Sequence, residues 1–207
     1  CGSWLLEPQS TNLVTYSEDF SNASWTKSGS SVVSGFTSPD GGLNAFKLVE
    51  GTNIGNHQVY KSAITNSGDF SNSIFVKASE RSNVRINSGT NTFRVDFDLS
   101  NGTVISEVGA TGNIVSMSNG WYKCDISWNT VTVSAQYLLI STLDDSGTQS
   151  YQGDGTSGIY IFGAQLEQKS YSTSYIPTTQ GAISTRLADI ATNSGNASLI
   201  NSEEGVL

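Results

Sequence analysis

Along residues 93–99, FRVDFDL, apolar and polar side chains alternate without a break. Phe93, Val95, Phe97 and Leu99 fall on one side; Arg94, Asp96 and Asp98 fall on the other. A period of two is the pattern of a strand with one buried face. The same period recurs in short runs along the chain. VVSGF (32–36), NAFKLVE (44–50), HQVYKSAI (57–64), SNSIFVKAS (71–79) and NVRIN (83–87) read as strands. So do NIVSMS (113–118), WYKCDISW (121–128), the mostly apolar QYLLIST (136–142) and GIYIFGAQLE (158–167). Turn formers separate them: SPDGG at 38–42, Asn101-Gly102 and Asn119-Gly120, each Asn-Gly pair a hairpin signal, and the polar loop 144–158. No segment carries a helical period.

Strands of this length, with one wet face each, must bury the other face against a second sheet. The expectation is an all-β fold: a two-sheet antiparallel β-sandwich of jelly-roll or concanavalin-like type. Residues 1–13 read as an extended leading segment, 14–178 as the sandwich, and 179–207 as a linker with the start of a possible following module. A tail folded back on the sandwich is the alternative reading of 179–207. In the stretch after the last regular strand, Tyr171, Tyr175, Ile176 and Pro177 suit a strap laid over a sandwich edge.

Composition sharpens this picture. Only 36% of the 207 residues are hydrophobic and 14% are charged, so Ser, Thr, Asn and Gly cover most of the exterior. Aromatic content of 10% separates the chain from a disordered Ser/Gly polymer. A net charge of −8 without a basic run argues against a nucleic-acid partner. No apolar run approaches the roughly 18 residues of a membrane span. The first residues, Cys1-Gly2-Ser3-Trp4, do not resemble a natural start, and the chain is read as an excerpt of something longer. Cys124 alternates with Tyr122, Ile126 and Trp128 and reads as a small core residue; Cys1 could be free or paired.

Catalytic patterns find little support. His57 is the sole imidazole, so a Ser-His-Asp triad rests on one His in a strand. Asp96 and Asp98 share a strand face about 7 Å apart, which is compatible with an acid–base pair, yet a solvated strand face is the default. The Gly-x-Gly of YQGDGTSG does not open a helix, which removes the anion-binding logic. The chain is therefore expected not to be an enzyme.

Aromatic rings stack on the C–H faces of sugars, and four Trp and eight Tyr make that chemistry available. Trp25, Trp128, Tyr122 and Tyr160 fall where core anchors are expected. Outward positions on central strands are the better ligand candidates. Arg85, Arg94 and Asp96 share one solvent side, and Tyr60, Trp121 and Tyr137 could supply a stacking surface, with the side that Tyr137 faces left open by its all-apolar neighbours.

A family pattern runs through these segments. LLEPQSTNLVTYSEDFSNASW (5–25), SIFVKAS (73–79), VDFDLSNGTV (95–104) and NGWYKC (119–124) carry it, followed by YQGDGTSGIYIFGAQLE (151–167), TSYIPT (173–178) and TRLAD (185–189). The chain resembles a module of bacteriophage virion proteins, tail fibres and similar appendages, also found in some bacterial surface proteins. The resemblance implies a jelly-roll sandwich distantly similar to carbohydrate-binding modules. It also implies an extracellular or virion-surface location and, as partner, a polysaccharide or cell-surface glycan. Other virion proteins or further copies of the chain are the alternative partners, for a module that assembles an appendage without binding sugar. Related carbohydrate modules hold a structural calcium between the amino-terminal loop and an acidic last strand. Here Glu18 and Asp19 would supply the loop ligands, while Phe162 and Gly163 stand where the acidic pair would be. No other cofactor is expected.

Overall fold

The structure, a computed structural model, describes residues 6–89 and 91–190. Cys1 and the expected start of a following module after residue 190 lie outside the described residues. The strands are β1 (Ser10–Asn12), β2 (Thr26–Ser28), β3 (Ser30–Phe36), β4 (Ala45–Glu50), β5 (Ile54–Asn56), β6 (Gln58–Ala78), β7 (Asn83–Asn87), β8 (Arg94–Asp98), β9 (Thr103–Val108), β10 (Thr111–Ser116), β11 (Trp121–Leu143), β12 (Ser150–Gln152), β13 (Gly158–Glu167) and β14 (Ser184–Arg186). Every pairing is antiparallel.

β6 and β11 differ from the sequence reading, which divided each into two strands. They run 21 and 23 residues and pair along most of their length. Their polar middles pair with each other, Gly68 with Thr130 and Asn66 with Ser134, so ladder bonds continue where burial stops. The register slips between Thr130 and Ser134 and again between Gln136 and Tyr137, and such bulges bend a strand pair. Val131, 93% exposed, sits in the first slip.

The bent ribbon carries both layers of an antiparallel jelly-roll sandwich. Layer one is β3, β4, β13, the carboxyl half of β6, the amino half of β11, and β10. Layer two is β2, the amino half of β6, the carboxyl half of β11, β7, β8 and β9. One core joins them: Leu48, Ile74, Val76, Ile126 and Ile161 from layer one meet Val59, Leu138, Ile140, Ile86 and Val95 from layer two. Trp25 and Phe20, with ring centroids 4.8 Å apart, close it from the loop before β2, and Cys124 and Trp128 lie in it as their alternation predicts. Each such buried side chain contributes about 1.5–3 kcal/mol.

The Asn119-Gly120 turn forms as expected, with both residues at positive φ (58° and 76°). Asn101-Gly102 instead lies in a longer loop between Asp98 and Thr103, because Asp98 Oδ1 accepts the Ser100 amide at 2.7 Å and fixes a wider turn.

The strap is present. Asn12 Nδ2 donates to Ile176 O at 2.8 Å, Ile176 N donates to Gln165 Oε1 at 2.7 Å, and Thr178 Oγ1 donates to Val14 O at 2.7 Å. Tyr171 lies outside it, 52% exposed. Beyond the strap, β14 pairs with β1, and the Asp189 amide donates to Glu7 O at 3.0 Å.

Candidate glycan-binding face

Alternation sets which side chains leave the sandwich on layer two. Val59 on β6, Leu138 and Ile140 on β11, Val84 and Ile86 on β7, and Val95 and Phe97 on β8 point into the core. Their neighbours must point out. Register then aligns them in rows across the strands. Gln58, Ser141, Arg85, Asp96 and Ser106 form one row; Tyr60, Leu139, Asn87, Arg94 and Val108 form the next. Tyr137 follows beside Ser62. Five of the six expected residues, Tyr60, Arg85, Arg94, Asp96 and Tyr137, thus share this face.

Tyr60 and Tyr137 meet edge to face, ring centroids 6.2 Å apart, and both stay partly exposed. Gly89 backs the Tyr137 ring: a Cβ there would lie 2.2 Å from Cδ2. Beside the pair runs a hydrogen-bonded chain. Arg85 grips Asp96 in bidentate fashion at 2.6 and 2.8 Å, and its other nitrogen donates to Gln149 Oε1 at 2.9 Å. Gln149 Nε2 donates to Ser141 Oγ at 3.1 Å, and that hydroxyl donates to Gln58 Oε1 at 3.2 Å. A fork-to-fork guanidinium–carboxylate pair holds its plane firmly. Asp96 is 6% exposed, so it differs from the solvent-side residue expected: it orients Arg85 rather than meeting solvent. Arg94 donates to Asn91 O at 2.6 Å, and its Nε, buried, has no acceptor among the described residues.

Gln149 reaches the face because its loop is anchored. Glu50, buried at the end of β4, accepts both Arg81 nitrogens at 2.8 and 2.9 Å, the Tyr151 hydroxyl at 2.7 Å and the Asp154 amide at 2.9 Å. Burial acts to raise the Glu50 pKa, but these donors outweigh it and hold the carboxyl below its ordinary 4.5. His57, fully buried, places its ring nitrogens against Gly29 O at 2.5 Å and Tyr151 O at 3.2 Å, with Gly153 packed on the ring. The imidazole therefore fastens loops together. Asp98 is likewise committed to its turn, accepting from Ser100 and Asn101.

Trp121 is a correction. It starts β11 opposite Lys77, on the outer side of layer one, and is 2% exposed under a cluster with Ala45 and Phe162. Tyr160 is a second correction: its neighbours Ile159 and Ile161 take the core, and Tyr160 turns out toward Phe36. Sequence parity places Trp121 on the wet side of its strand but carries no information on what covers that side; Tyr160, expected as a core anchor, stands outward because Ile159 and Ile161 fill the inner positions.

Glu18 and Asp19, the expected calcium ligands, are engaged within the protein. Asp19 Oδ1 closes a turn onto the Ser21 amide at 3.1 Å, while Glu18 accepts the Tyr175 hydroxyl at 3.2 Å. The place of an acidic last-strand residue is filled by aromatic packing, since a Cβ on Gly163 would lie 2.9 Å from Phe75 and 3.3 Å from Tyr175. No group of three or more His, Cys, Asp or Glu side chains suited to a metal forms among the described residues.

No family model matches the chain, and no curated protein matches it. Among solved structures, the chain is similar to TmCBM61, a structure in complex with β-1,4-galactotriose, at 12% identity over 76% of this chain and 99% of that one, with a TM-score of 0.46. It is similar to the CBM22-1 xylan-binding domain of Paenibacillus barcinonensis Xyn10C at 13% identity, over 79% and 98% of the two chains, TM-score 0.44. It is also similar to the enzymatically active domain of tailspike protein 4 from bacteriophage CBA120, at 12% identity over 75% of this chain and 21% of that one, TM-score 0.44. These likenesses are of fold.

Proposed function

We propose that the protein is a non-catalytic carbohydrate-binding sandwich that takes a glycan across the outer face of layer two. The observation that carries this is the Tyr60–Tyr137 pair beside a pre-ordered row of amides, a hydroxyl and a guanidinium. A ring face supplies stacking for sugar C–H groups, and fixed donors and acceptors select hydroxyl geometry. Holding the row in place beforehand reduces the ordering cost of binding. From Tyr60 on β6 to Arg94 on β8 the face spans three strand spacings, about 14 Å, enough for a short oligosaccharide. A Ser/Thr/Asn-rich acidic exterior suits a module displayed on a phage particle or bacterial surface, where we place it.

A glycan array followed by calorimetry tests the reading. Tyr137→Ala is expected to weaken binding at this face by tenfold or more, which is about 1.4 kcal/mol, with an unchanged fold. Undiminished binding in Tyr137→Ala and Tyr60→Ala would remove this face from the reading. Turnover of a polysaccharide would remove the non-catalytic assignment. Assembly without sugar is the second reading. It is favoured by exposed Leu6, Ile183, Leu187 and Ile190 near the β1–β14 pair. Stable trimers or dimers in ultracentrifugation, with a silent glycan array, would support it.

A further inference from the structure

The other outer face is also unusual. On layer one, alternation turns Phe75 and Lys77 of β6, Tyr160 and Phe162 of β13, and Trp121 and Lys123 of β11 away from the core. The aromatic side chains among them belong to a second cluster separate from the main one. Trp121, Phe162 and Ala45 are its buried floor. Phe36, Phe75, Tyr160 and Tyr175 lie above the floor and remain partly exposed. Phe36 and Tyr160 stand 4.8 Å apart; Phe75 and Tyr175 meet at 5.8 Å, nearly perpendicular.

Two depressions open on this strip. One, of about 180 Å³, is lined by Phe36, Thr37, Lys77 and Tyr160. The other, of about 350 Å³, includes Glu18, Asp40, Phe75, Tyr175 and Pro177 among its walls. The rims are polar. Asp40 accepts from the Ser38 hydroxyl and the Gly42 amide, which keep its carboxyl ionised. Glu18 accepts from Tyr175 and from Asn44. An ionised carboxylate has about four acceptor positions, so each retains capacity for ligand hydroxyls. Lys77 supplies donors at the far rim.

We propose that this face is a second carbohydrate site, independent of the Tyr60–Tyr137 face, and that its ligand is a neutral pyranose chain. Aromatic floors with hydroxyl-binding rims match a polyhydroxylated ring with apolar C–H faces. Glu18 and Asp40, in a chain of net charge −8, disfavour an acidic sugar. A protein partner fits less well, because Lys47, Lys77 and Lys123 run through the strip, and lysine is depleted from interface cores.

The test is amide chemical-shift mapping with neutral xylo-, gluco-, galacto- and manno-oligosaccharides at millimolar concentration. Amides at 36–37, 77, 160 and 175 are expected to shift in the wild type and equally in Tyr137→Ala. In Phe36→Ala/Tyr160→Ala they are expected to stay still, with affinity at this face at least tenfold weaker. Should that double variant melt early, Lys77→Ala, which leaves the rings intact, is expected to weaken binding at the same amides. Shifts confined to the layer-two face, or no shift at these amides with any of the four sugars, overturn the proposal. So does wild-type self-association that Phe36→Ala abolishes, which makes the strip a contact between copies. Shifts at layer one alone uphold this site and reject the layer-two face.

Discussion

Tyr175 does three things at once. Its ring packs on Phe75 and Phe162, its hydroxyl shares a 2.6 Å hydrogen bond with Ser17, and it donates to Glu18 at 3.2 Å. Burial pushes its phenol pKa well above the ordinary range, so the hydroxyl remains a donor at every working pH. Tyr175→Ala is expected to cost about 2–4 kcal/mol, and Tyr175→Phe about 1 kcal/mol, read as shifts in denaturant midpoint. An unchanged midpoint in the alanine variant would detach the strap from the fold's stability. Side chains of this kind divide what was legible in the sequence from what was not. Period-two parity turns Tyr60, Arg85 and Arg94 outward; it leaves Tyr137 open among apolar neighbours, and register then sets all four on one face. Parity is silent on cover. Trp121 and Tyr60 both stand outward from their strands, yet Trp121 lies beneath other rings while Tyr60 stays partly open. Gln149 had no signal, since a loop amide reaches the face only through the remote Glu50–Arg81 anchor.

At the level of elements, turns and strands differ in how much local sequence decides. The β10–β11 hairpin is local: Asn119 and Gly120 both adopt positive φ, and Trp121 N closes onto Ser118 O. A Cβ on Gly120 would meet only the Lys77 side chain, at 3.7 Å, so the space is free and the backbone alone resists. Gly120→Ala is expected to cost about 1–2 kcal/mol without altering the fold, measured by thermal melting. A cost near zero would show that this turn relaxes. The long strands were illegible for the opposite reason. TNSGD and the polar stretch after Trp128 do not register as buried strand, but Asp69 and Gly68 pair with Asn129 and Thr130, and Asn66 and Thr65 with Ser134 and Ala135 beyond the slip. Trp128 Nε1 donates to Gln136 Oε1 at 3.2 Å across the register slip, and Gln136 Nε2 donates to Asn66 O at 3.1 Å, stabilising a bend that no local pattern announces.

For the whole molecule, the one group whose titration reaches furthest is Glu50. Its folded pKa lies below its unfolded value, so its contribution to stability is complete above about pH 4.5 and fades as pH falls through the folded value. Arg81→Met removes the guanidinium and leaves a buried carboxylate, with an expected loss of about 3–5 kcal/mol at neutral pH. Burial is then opposed by fewer donors, so the variant's melting temperature should fall less steeply on acidification than the wild type's. Parallel acid slopes would mean that another group governs the pH response. The same anchor ties β4, the loop before β7 and the β12 loop to one point, so its loss is also expected to loosen Gln149 on the glycan-binding face. Another consequence lies in how β1 and β14 meet. Ser10 faces Arg186 and Asn12 faces Ser184, so the chain arrives and departs at the same end of a three-residue ladder. Mechanical tension between flanking polypeptide would open that ladder one rung at a time, and the sandwich behind the strap would feel little of the load until those few rungs had parted.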